Sequence, residues 1–369
     1  MLSYWEKQSL LQYDYIIAGS GIVGLSTAIS LREAQPQAHV LVLERGVLPT
    51  GASTKNAGFA CIGSLTELLA DLRQLPAFEV LALLELRWKG LNALRHRVGD
   101  EHIDYRENGS YELIGEKELP ALSELESMNE LLRPLLGGDA FTLVPNDFGF
   151  DPSYVKAMVR NNFEGELHTG KMMRRLIDLA LFYGVEIKTG CAISSIVESA
   201  AGVYVSVGEY QFVASQVGIC TNAFTKDLIP DLDVVPGRGQ VLITDPIPGL
   251  PFKGIYHMDE GYYYFRELEG RVLFGGGRNM DFVGEATTAL GLTTNIQTEL
   301  ENRLRHIILP GFSFNIADRW AGIMAFGQNR QPVIRRHSPR IALGVRMGGM
   351  GIAIGTAIGA QLADILIKE

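Results

Sequence analysis

Gly19-Ser20-Gly21-Ile22-Val23-Gly24 is the stretch that decides the fold of this 369-residue chain. It matches the pattern G-x-G-x-x-G and follows the apolar run Tyr15 to Ala18, which predicts a buried strand. The residues after it, Ile22 to Glu33, have the pattern of a helix. In this setting the three glycines permit a tight turn, a close approach of the backbone to a pyrophosphate, and close helix–strand packing. Free N–H groups at the helix N-terminus favour the charge of that pyrophosphate.

A second apolar strand, Val40 to Leu43, completes a strand–helix–strand unit and is followed by Glu44. A carboxylate at this position accepts hydrogen bonds from the adenosine ribose of a dinucleotide. Arg45 comes next, but Glu44 would repel the 2′-phosphate of NADP. The unit therefore predicts a dinucleotide site that includes Glu44 and Arg45, and it does not separate NAD from FAD.

The remaining strand and helix patterns predict an α/β fold with two sheets. Apolar strands at 185–188, 217–220 and 341–345 extend the opening unit into a parallel layer, whereas strands at 240–244, 262–266 and 271–274 favour an antiparallel sheet. Helical patterns cover 65–98, 116–136, the segment opened by Asp151-Pro152, 168–183, 293–308 and 351–368. We expect a Rossmann-like nucleotide-binding domain (residues 1–88, 151–225 and 319–369) interleaved with an α+β substrate domain (89–150 and 226–318).

Charge and composition argue against several classes of protein. The chain has 33 basic and 42 acidic residues, so a nucleic-acid partner is not expected. Cys61, Cys191 and Cys220 form neither a disulfide framework nor the spacing of a metal site. The uncharged stretches 15–31 and 347–363 are short for a membrane span and are interrupted by glycines. These features predict a cytoplasmic protein without an integral membrane segment.

Two further segments resemble the family of D-amino-acid, glycine and sarcosine oxidases. Gly51-Ala52-Ser53-Thr54-Lys55-Asn56-Ala57-Gly58 is similar to the family's G-x-S-x-R-N-x-G loop, which passes beside the flavin ring. Arg346-Met347-Gly348-Gly349-Met350-Gly351 is similar to its C-terminal glycine motif, whose helix points at the flavin pyrimidine edge. Thr221 and Asn222 fall where the family has a strand end that reads A-T-G-A. The resemblance covers nearly the whole chain and implies that these residues bind FAD.

The chain departs from the family pattern at positions that bear on its chemistry. Covalent members attach flavin through a His, where Asn56 stands here, or through a Cys in the C-terminal third, and no Cys lies beyond Cys220. Non-covalent FAD is therefore expected. Met324 replaces the carboxylate-binding Arg of glycine-oxidase-like members. The strand 271–274 lacks the oxygen-activating Lys of sarcosine-oxidase-like members, so O₂ and other electron acceptors both stay open.

The resemblance implies oxidation of a small amine or amino acid by hydride transfer to flavin N5, giving an imine that hydrolyses. Such a reaction depends mainly on orientation and desolvation of the substrate. A substrate carboxylate needs an arginine fork; Arg346 is the first candidate, with Arg278 and Arg266 next. Tyr262 and Tyr264 are candidates to bridge the substrate, and His257 could titrate near neutral pH.

Other functions remain compatible with the sequence. A flavin-dependent 2-hydroxy-acid dehydrogenase needs a base near the hydroxyl group, a role that His257 could take. A non-catalytic flavin-binding subunit of a larger complex is favoured by the missing substrate arginine. An NAD-dependent dehydrogenase would be colourless when purified, whereas a flavoprotein would be yellow. No motif specifies the substrate or the oligomeric state, and a homo-oligomer stays open.

Overall fold

Two eight-stranded sheets organise the chain in the computed structural model, which describes residues 1–368. The strands are β1 (Gln12–Ala18), β2 (Val40–Leu43), β3 (Phe59–Ala60), β4 (Ser110–Ile114), β5 (Phe141–Val144), β6 (Ala157–Asn161), β7 (Gly165–Glu166), β8 (Glu186–Lys188), β9 (Ile193–Ser199), β10 (Gly202–Val207), β11 (Tyr210–Ile219), β12 (Val235–Thr244), β13 (Ile255–Met258), β14 (Tyr263–Leu268), β15 (Arg271–Gly276), β16 (Ile316–Phe326), β17 (Val333–Ser338) and β18 (Ile341–Val345). The α-helices are α1 (Tyr4–Ser9), α2 (Ile22–Ala34), α3 (Ala52–Lys55), α4 (Leu65–Leu72), α5 (Ala77–Val98), α6 (Leu125–Leu136), α7 (Thr169–Phe182), α8 (Thr294–Arg303) and α9 (Gly351–Ile367). None of the helices in residues 1–368 is both long and apolar enough to cross a bilayer.

The first sheet has a parallel centre. Its order is β17-β18-β11-β1-β2-β8, and the five strands from β18 to β8 run parallel to one another. Strands β2 and β18 are buried at every residue, as expected where a parallel sheet is covered on both faces. The predicted opening unit and the predicted parallel layer are confirmed.

Helix α9 packs closely on α2 and α5 because glycines line these contacts. A Cβ at Gly359 would lie 2.6 Å from the Cβ of Ser26, and one at Gly90 would lie 2.2 Å from the carbonyl oxygen of Ala353. Helix α2 begins four residues after β1, and α9 begins six residues after β18. Both helix N-termini therefore lie at the carboxyl edge of the parallel strands, where ligands of such sheets bind.

The second sheet has the order β16-β12-β15-β14-β13-β4-β6-β5 and is antiparallel except for the pair β13–β4. The three predicted antiparallel strands correspond to β12, β14 and β15, so that prediction is confirmed. Its core is rich in aromatic rings, among them Tyr256 and Phe265, which stack with centroids 4.6 Å apart. The sheet therefore provides a rigid wall opposite the parallel layer.

The prediction of a helix after Asp151-Pro152 is wrong. Asp151 closes a turn by accepting a hydrogen bond from the backbone N–H of Ser153 at 2.9 Å, and the chain then continues as β6. Strand β6 pairs with β4 and β5, and β16 pairs with β12. Both strands thus belong to the second sheet, although the domain boundaries predicted from the sequence assign most of their residues to the first domain.

Prolines and continuous pairing explain the other local differences. The helical pattern 65–98 is two helices because Pro76 forms the N-cap of α5, and the pattern 116–136 begins as a 3₁₀ segment that contains Pro120. Strand β11 runs without a break from its hairpin with β10 into the predicted strand at 217–220, since it pairs first with β10 and then with β1 and β18.

Candidate active site

A cavity of about 950 Å³ lies at the carboxyl edge of the parallel strands and reaches the second sheet. The cofactor-binding residues predicted from the sequence that line it are Gly19, Gly21, Ile22, Val23, Glu44, Arg45, Ser53, Lys55, Asn56, Ala57, Thr221, Asn222, Gly348, Gly349, Met350 and Gly351. The predicted substrate residues His257, Tyr262, Tyr264, Arg278 and Arg346 line the same cavity. Four other predicted residues belong to the same loops but do not line the cavity: Ser20, Gly24, Thr54 and Gly58.

The glycine turn after β1 leaves no room for side chains. A Cβ at Gly24 would lie 1.9 Å from the carbonyl oxygen of Gly19, and one at Gly21 would lie 2.9 Å from Oγ of Ser53. Gly19 has φ +99°, a conformation that favours glycine. Because the turn is this tight, the N-terminus of α2 opens onto the cavity.

Glu44 is fixed at the end of β2. One oxygen, Oε2, accepts hydrogen bonds from the backbone N–H of Ser20 at 3.1 Å and from its hydroxyl at 2.8 Å. The other, Oε1, accepts one from the N–H of Gly46 at 3.0 Å. Next to it the guanidinium of Arg45 lies 3.5 Å from the ring centroid of Phe224, a cavity residue that sequence reasoning missed. The carboxylate is therefore oriented before any ligand arrives.

Asn56 holds the loop between β2 and β3 in shape. Its amide nitrogen donates to the carbonyl of Ser53 at 2.8 Å. Its oxygen accepts from the N–H of Gly58 at 2.9 Å and from the hydroxyl of Thr169 at 2.7 Å. Since the side chain is fully used in these contacts and is not nucleophilic, it anchors the loop and does not attach a ligand covalently.

The glycines before α9 bring its N-terminus into the cavity. Gly348 and Gly349 have φ +58° and +88°, and Met350 provides no side-chain cap for the helix that begins at Gly351. Helix α3 of the loop 51–58 contacts α9. The loop and the helix tip thus line one cavity, as the sequence predicts, and the uncapped N–H groups favour a negative charge between them.

The guanidinium of Arg346 is already occupied by the protein. It pairs with the carboxylate of Asp233 at 2.5 Å, and it donates to Oδ1 of Asn329 at 2.6 Å and to the carbonyl of Gln331 at 2.9 Å. The residue is only 6% exposed. These contacts revise the prediction that Arg346 is the first candidate for a substrate carboxylate, because it fastens the segment 327–331 instead.

Arg266 is engaged in a similar way on the second sheet. Its guanidinium donates to the carbonyl of Leu167 at 2.8 Å and lies 3.3 Å from the carboxylate of Glu166. Burial lowers its pKa, and the residue is 5% exposed. It therefore ties the loop 57–58 to the second sheet and is not available to a substrate.

Arg278 differs from Arg346 and Arg266 because its guanidinium stacks on aromatic rings instead of pairing with polar groups of the protein. Its guanidinium lies 4.0 Å from the ring centroid of Phe326 and 4.8 Å from that of Phe282. Within residues 1–368 it makes no ion pair and donates no hydrogen bond. Burial lowers its pKa. Arg278 is thus a stacked cation at the cavity wall with its donors free.

Tyr264 and His257 form the floor of the cavity with Phe59. The ring of Phe59 packs in edge-to-face geometry against the rings of His257 and Tyr264, at centroid distances of 5.3 and 5.6 Å. Burial raises the pKa of Tyr264 to about 12 and lowers the pKa of His257 to about 4. Among the described residues, Nε2 of His257 is buried without a hydrogen-bond partner. Both polar groups therefore remain available.

Arg87 and Glu67 also line the cavity and were missed by sequence reasoning. Arg87 is 3% exposed, donates to the carbonyl of Ile62 at 2.7 Å, and lies 3.8 Å from the carboxylate of Glu67. A signal was present, because Arg87 lies on the face of α5 that is otherwise formed by Leu83, Leu84 and Leu91. A charge within an apolar helical stripe indicates a buried partner or a cavity.

A Rossmann-like unit with an oriented carboxylate, a second helix N-terminus and an antiparallel wall around one cavity defines a dinucleotide-dependent oxidoreductase. The chain belongs to the DAO family of FAD-dependent oxidoreductases, whose family model matches residues 14–365. Its cofactor is FAD, and the residues present fit it, since the glycine turn, Glu44 and the tip of α9 surround a cavity large enough for it. With Asn56 in the loop and no Cys beyond Cys220, FAD is held non-covalently.

Solved structures with the same fold cover nearly the whole chain. L-proline dehydrogenase from P. horikoshii is 17% identical, with a TM-score of 0.78 over 97% of this chain and 94% of its own. Glycine oxidase from Geobacillus kaustophilus is 18% identical, with a TM-score of 0.75 over 97% and 95%. L-amino acid deaminase from Proteus vulgaris is 18% identical, with a TM-score of 0.76 over 97% and 94%. No curated protein gives a significant match.

Proposed function

We propose that this enzyme oxidises the C–N bond of a small amine or amino acid that carries a carboxylate, with Arg278 as the carboxylate partner. The observation that carries the proposal is the unpaired guanidinium of Arg278 at the cavity wall. FAD, when bound, accepts the hydride from the carbon that bears the amine, and the imine product hydrolyses. The similar structures are a proline dehydrogenase, a glycine oxidase and an amino acid deaminase, which supports this substrate class.

Arg278 lies beside the position where the family's usual arginine is missing. Met324 on β16 is the cross-strand partner of Gly237 on β12, and a Cβ at Gly237 would lie 3.5 Å from Cδ of Arg278. Arg278 therefore reaches the same face of the sheet as Met324 from a neighbouring element. A guanidinium fork binds a carboxylate through two parallel hydrogen bonds, and stacking on Phe326 restricts its orientation.

The tyrosines and bare glycines next to Arg278 support a pocket for a small substrate. A Cβ at Gly275 would lie 2.7 Å from the ring of Tyr264, and one at Gly239 would lie 3.0 Å from Cε of Met324. These glycines leave the tyrosine hydroxyl and the methionine facing the cavity. Tyr264 and Tyr262 can then donate to the substrate carboxylate or amine, while Met324 excludes water from the reacting carbon.

Anaerobic bleaching of the bound flavin tests this proposal. The panel contains D- and L-amino acids, N-methyl amino acids, the corresponding amines without a carboxylate, and 2-hydroxy acids. We expect a carboxylate-bearing amine to reduce the flavin and the matching decarboxylated amine to do so with a much higher KM. Equal reduction by both members of a pair would remove the role of Arg278 and with it the proposed substrate class.

A 2-hydroxy-acid dehydrogenase is the second candidate, favoured by His257. Oxidation of an alcohol needs a group that takes the hydroxyl proton, and His257 lines the cavity. Flavin reduction by a 2-hydroxy acid, but not by the 2-amino acid of the same skeleton, would establish this alternative. Air admitted to the same reduced preparation then shows whether O₂ or another compound is the electron acceptor. Rapid return of the flavin colour indicates O₂.

A further inference from the structure

A second, very small pocket lies behind the floor of the cavity. Its volume is about 10 Å³, about the room that one water molecule needs. Its lining includes polar groups of Ser64, Ser110, Glu112, Asn161 and His257. His257 also lines the large cavity, so this residue lies between the two spaces. Leu65, Phe141 and Val159 complete the lining, so the pocket is mixed in character, and its polar residues are the possible hydrogen-bond partners of one water molecule.

The strand register aligns His257 with Glu112. His257 of β13 is the direct partner of Glu112 of β4 in a parallel pair, so the two side chains lie on the same face of the sheet. The Nε2 atom of His257 is buried and has no partner within the described residues. It is a donor or an acceptor without a contact, next to a pocket that holds a carboxylate.

Glu112 is buried without a compensating positive charge. Its carboxylate accepts hydrogen bonds from the hydroxyls of Ser64 and Thr66 and from the N–H of Thr66, and no cation pairs with it in residues 1–368. The residue is 2% exposed. A buried carboxylate with this surrounding has a strong affinity for a proton.

We propose that His257 and Glu112, bridged by a water molecule in the small pocket, form a proton relay that serves the substrate cavity. The inference rests on the proposed function, in which an ammonium substrate must lose a proton before its C–N bond is oxidised. The substrate proton moves to the cavity-side nitrogen of His257, and the proton on Nε2 passes through the water to Glu112. The ammonium becomes a neutral amine and the carboxylate becomes a carboxylic acid, so charge and protons balance. The reverse transfer, with loss of the cavity-side proton to solvent after product release, restores both groups.

The opposite pKa shifts of Glu112 and His257 suit the two residues to different roles in the relay. Burial is the main cause that raises the pKa of Glu112 to about 7, with Glu118 adding to it and Ser64 and Thr66 opposing it. Burial lowers the pKa of His257 to about 4, and Glu67 on α4 opposes that shift. The imidazole therefore transmits a proton without retaining it, and Glu112 stores it near neutral pH. Tyr264, the partner of His257 on β14, and Phe59, whose ring lies against it, carry no charge at this pH.

Glu164 provides a matched control. It is also buried with a pKa raised to about 7, but its carboxylate accepts from the N–H groups of Ile62 and Gly63 and from the hydroxyl of Ser110. It does not line the small pocket. Glu164→Gln therefore removes a similar titrating group from the same region and leaves the proposed path intact.

The first experiment needs no substrate. The imidazole Cε1–H signal of His257 in the FAD-loaded protein, assigned with His257→Gln, is followed by NMR over pH 5–9. We expect its shift to titrate near pH 7 in the native protein and in Glu164→Gln, and not in Glu112→Gln. An unchanged titration in Glu112→Gln would overturn the relay. If Glu112→Gln does not fold, the carboxyl stretch of Glu112 in native protein and in His257→Gln, followed by infrared titration, decides whether the two groups are coupled.

The second experiment follows the rate of anaerobic flavin reduction by the substrate found in the panel. Native enzyme and Glu164→Gln should lose rate as pH falls below about 7, because Glu112 is then already protonated. Glu112→Gln and His257→Gln should lack this step and reduce flavin about 100-fold more slowly, the range of general base catalysis. Retention of the step in Glu112→Gln would contradict the relay. Absence of any reducing substrate would instead contradict the proposed function and leave the NMR result standing.

Discussion

The guanidinium carbon of Arg278 lies 4.0 Å from the ring centroid of Phe326, and none of the described residues forms an ion pair with it. A cation stacked on an aromatic face keeps its N–H groups in the plane of the guanidinium and directed outward. By contrast, the guanidinium N–H groups of Arg346 and Arg266 already donate to carbonyls and carboxylates of the protein. This difference decides which arginine we connect with substrate binding.

Arg278→Gln should raise the KM for a carboxylate-bearing substrate about 10- to 100-fold, because hydrogen bonds to a charged group contribute about 1.5–3 kcal/mol. Flavin content and thermal stability should stay close to those of the native protein. Steady-state kinetics on an amino acid and on its decarboxylated amine measure the effect, with the amine as the internal control. A KM that rises equally for both compounds would mean that Arg278 maintains the cavity and does not bind a carboxylate.

Arg346→Ala should destabilise the protein while it changes the KM little. The truncation leaves the carbonyl of Gln331 without its donor and the carboxylate of Asp233 without its cation, and we expect a loss of about 2 kcal/mol in the free energy of unfolding. Urea unfolding monitored by circular dichroism gives this quantity. Arg346→Lys keeps the charge but cannot reach all three partners, so it should recover only part of the loss. A large rise in KM with unchanged stability would return Arg346 to the substrate site.

Gly24→Ala should abolish FAD binding. A Cβ at this position would lie 1.9 Å from the carbonyl oxygen of Gly19, so the turn at the edge of the cavity must open. The ratio of flavin to protein absorbance after purification measures the result. Gly138→Ala is the control, since its Cβ would meet only the ring of Phe163 at an ordinary 3.5 Å. Yellow Gly24→Ala protein would show that the turn does not hold the cofactor.

Glu164→Gln should become more stable relative to the native protein as pH rises from 5 to 8. Burial raises the pKa of Glu164 to about 7 in the folded protein, whereas the unfolded chain titrates near 4.5. The folded native state therefore binds more protons in this window, and its contribution to stability is lost as pH rises through about 7. The amide does not ionise, so the difference in unfolding free energy should shift in its favour by about 1–3 kcal/mol. Urea titrations at pH 5 and pH 8 compare the two proteins, and a pH-independent difference would contradict the raised pKa.

The cofactor half of the site could be predicted from sequence because its residues act through the backbone. Gly19, Gly24 and the glycines before α9 are required by turns and close helix packing, and such needs leave a pattern in adjacent positions. Glu44 was predicted for a similar reason, since its distance from Gly24 is fixed by one helix and one strand. These contacts are local, so spacing along the chain determines them.

The substrate half could be predicted only in part, because its residues meet through long-range pairing. Tyr264, Arg278 and His257 were candidates on residue type, but nothing in the sequence shows that the donors of Arg346 are consumed by Asp233, 113 residues away. The pairing of Gly237 with Met324, which brings Arg278 next to these two residues, likewise depends on the register of β12 and β16. The turn at Asp151 was misassigned because its Asp-Pro pair also begins helices.

Close packing of α9 on α2 and α5 has a consequence for biosynthesis. The glycine turn and Glu44 are synthesised early, whereas β18 and α9, which complete the same cavity, are synthesised with residues 341–367. A nascent chain that has passed Gly24 but not Gly359 has only half of a cofactor cradle. A complete FAD cavity therefore requires that the two distant parts of the nucleotide domain have already joined.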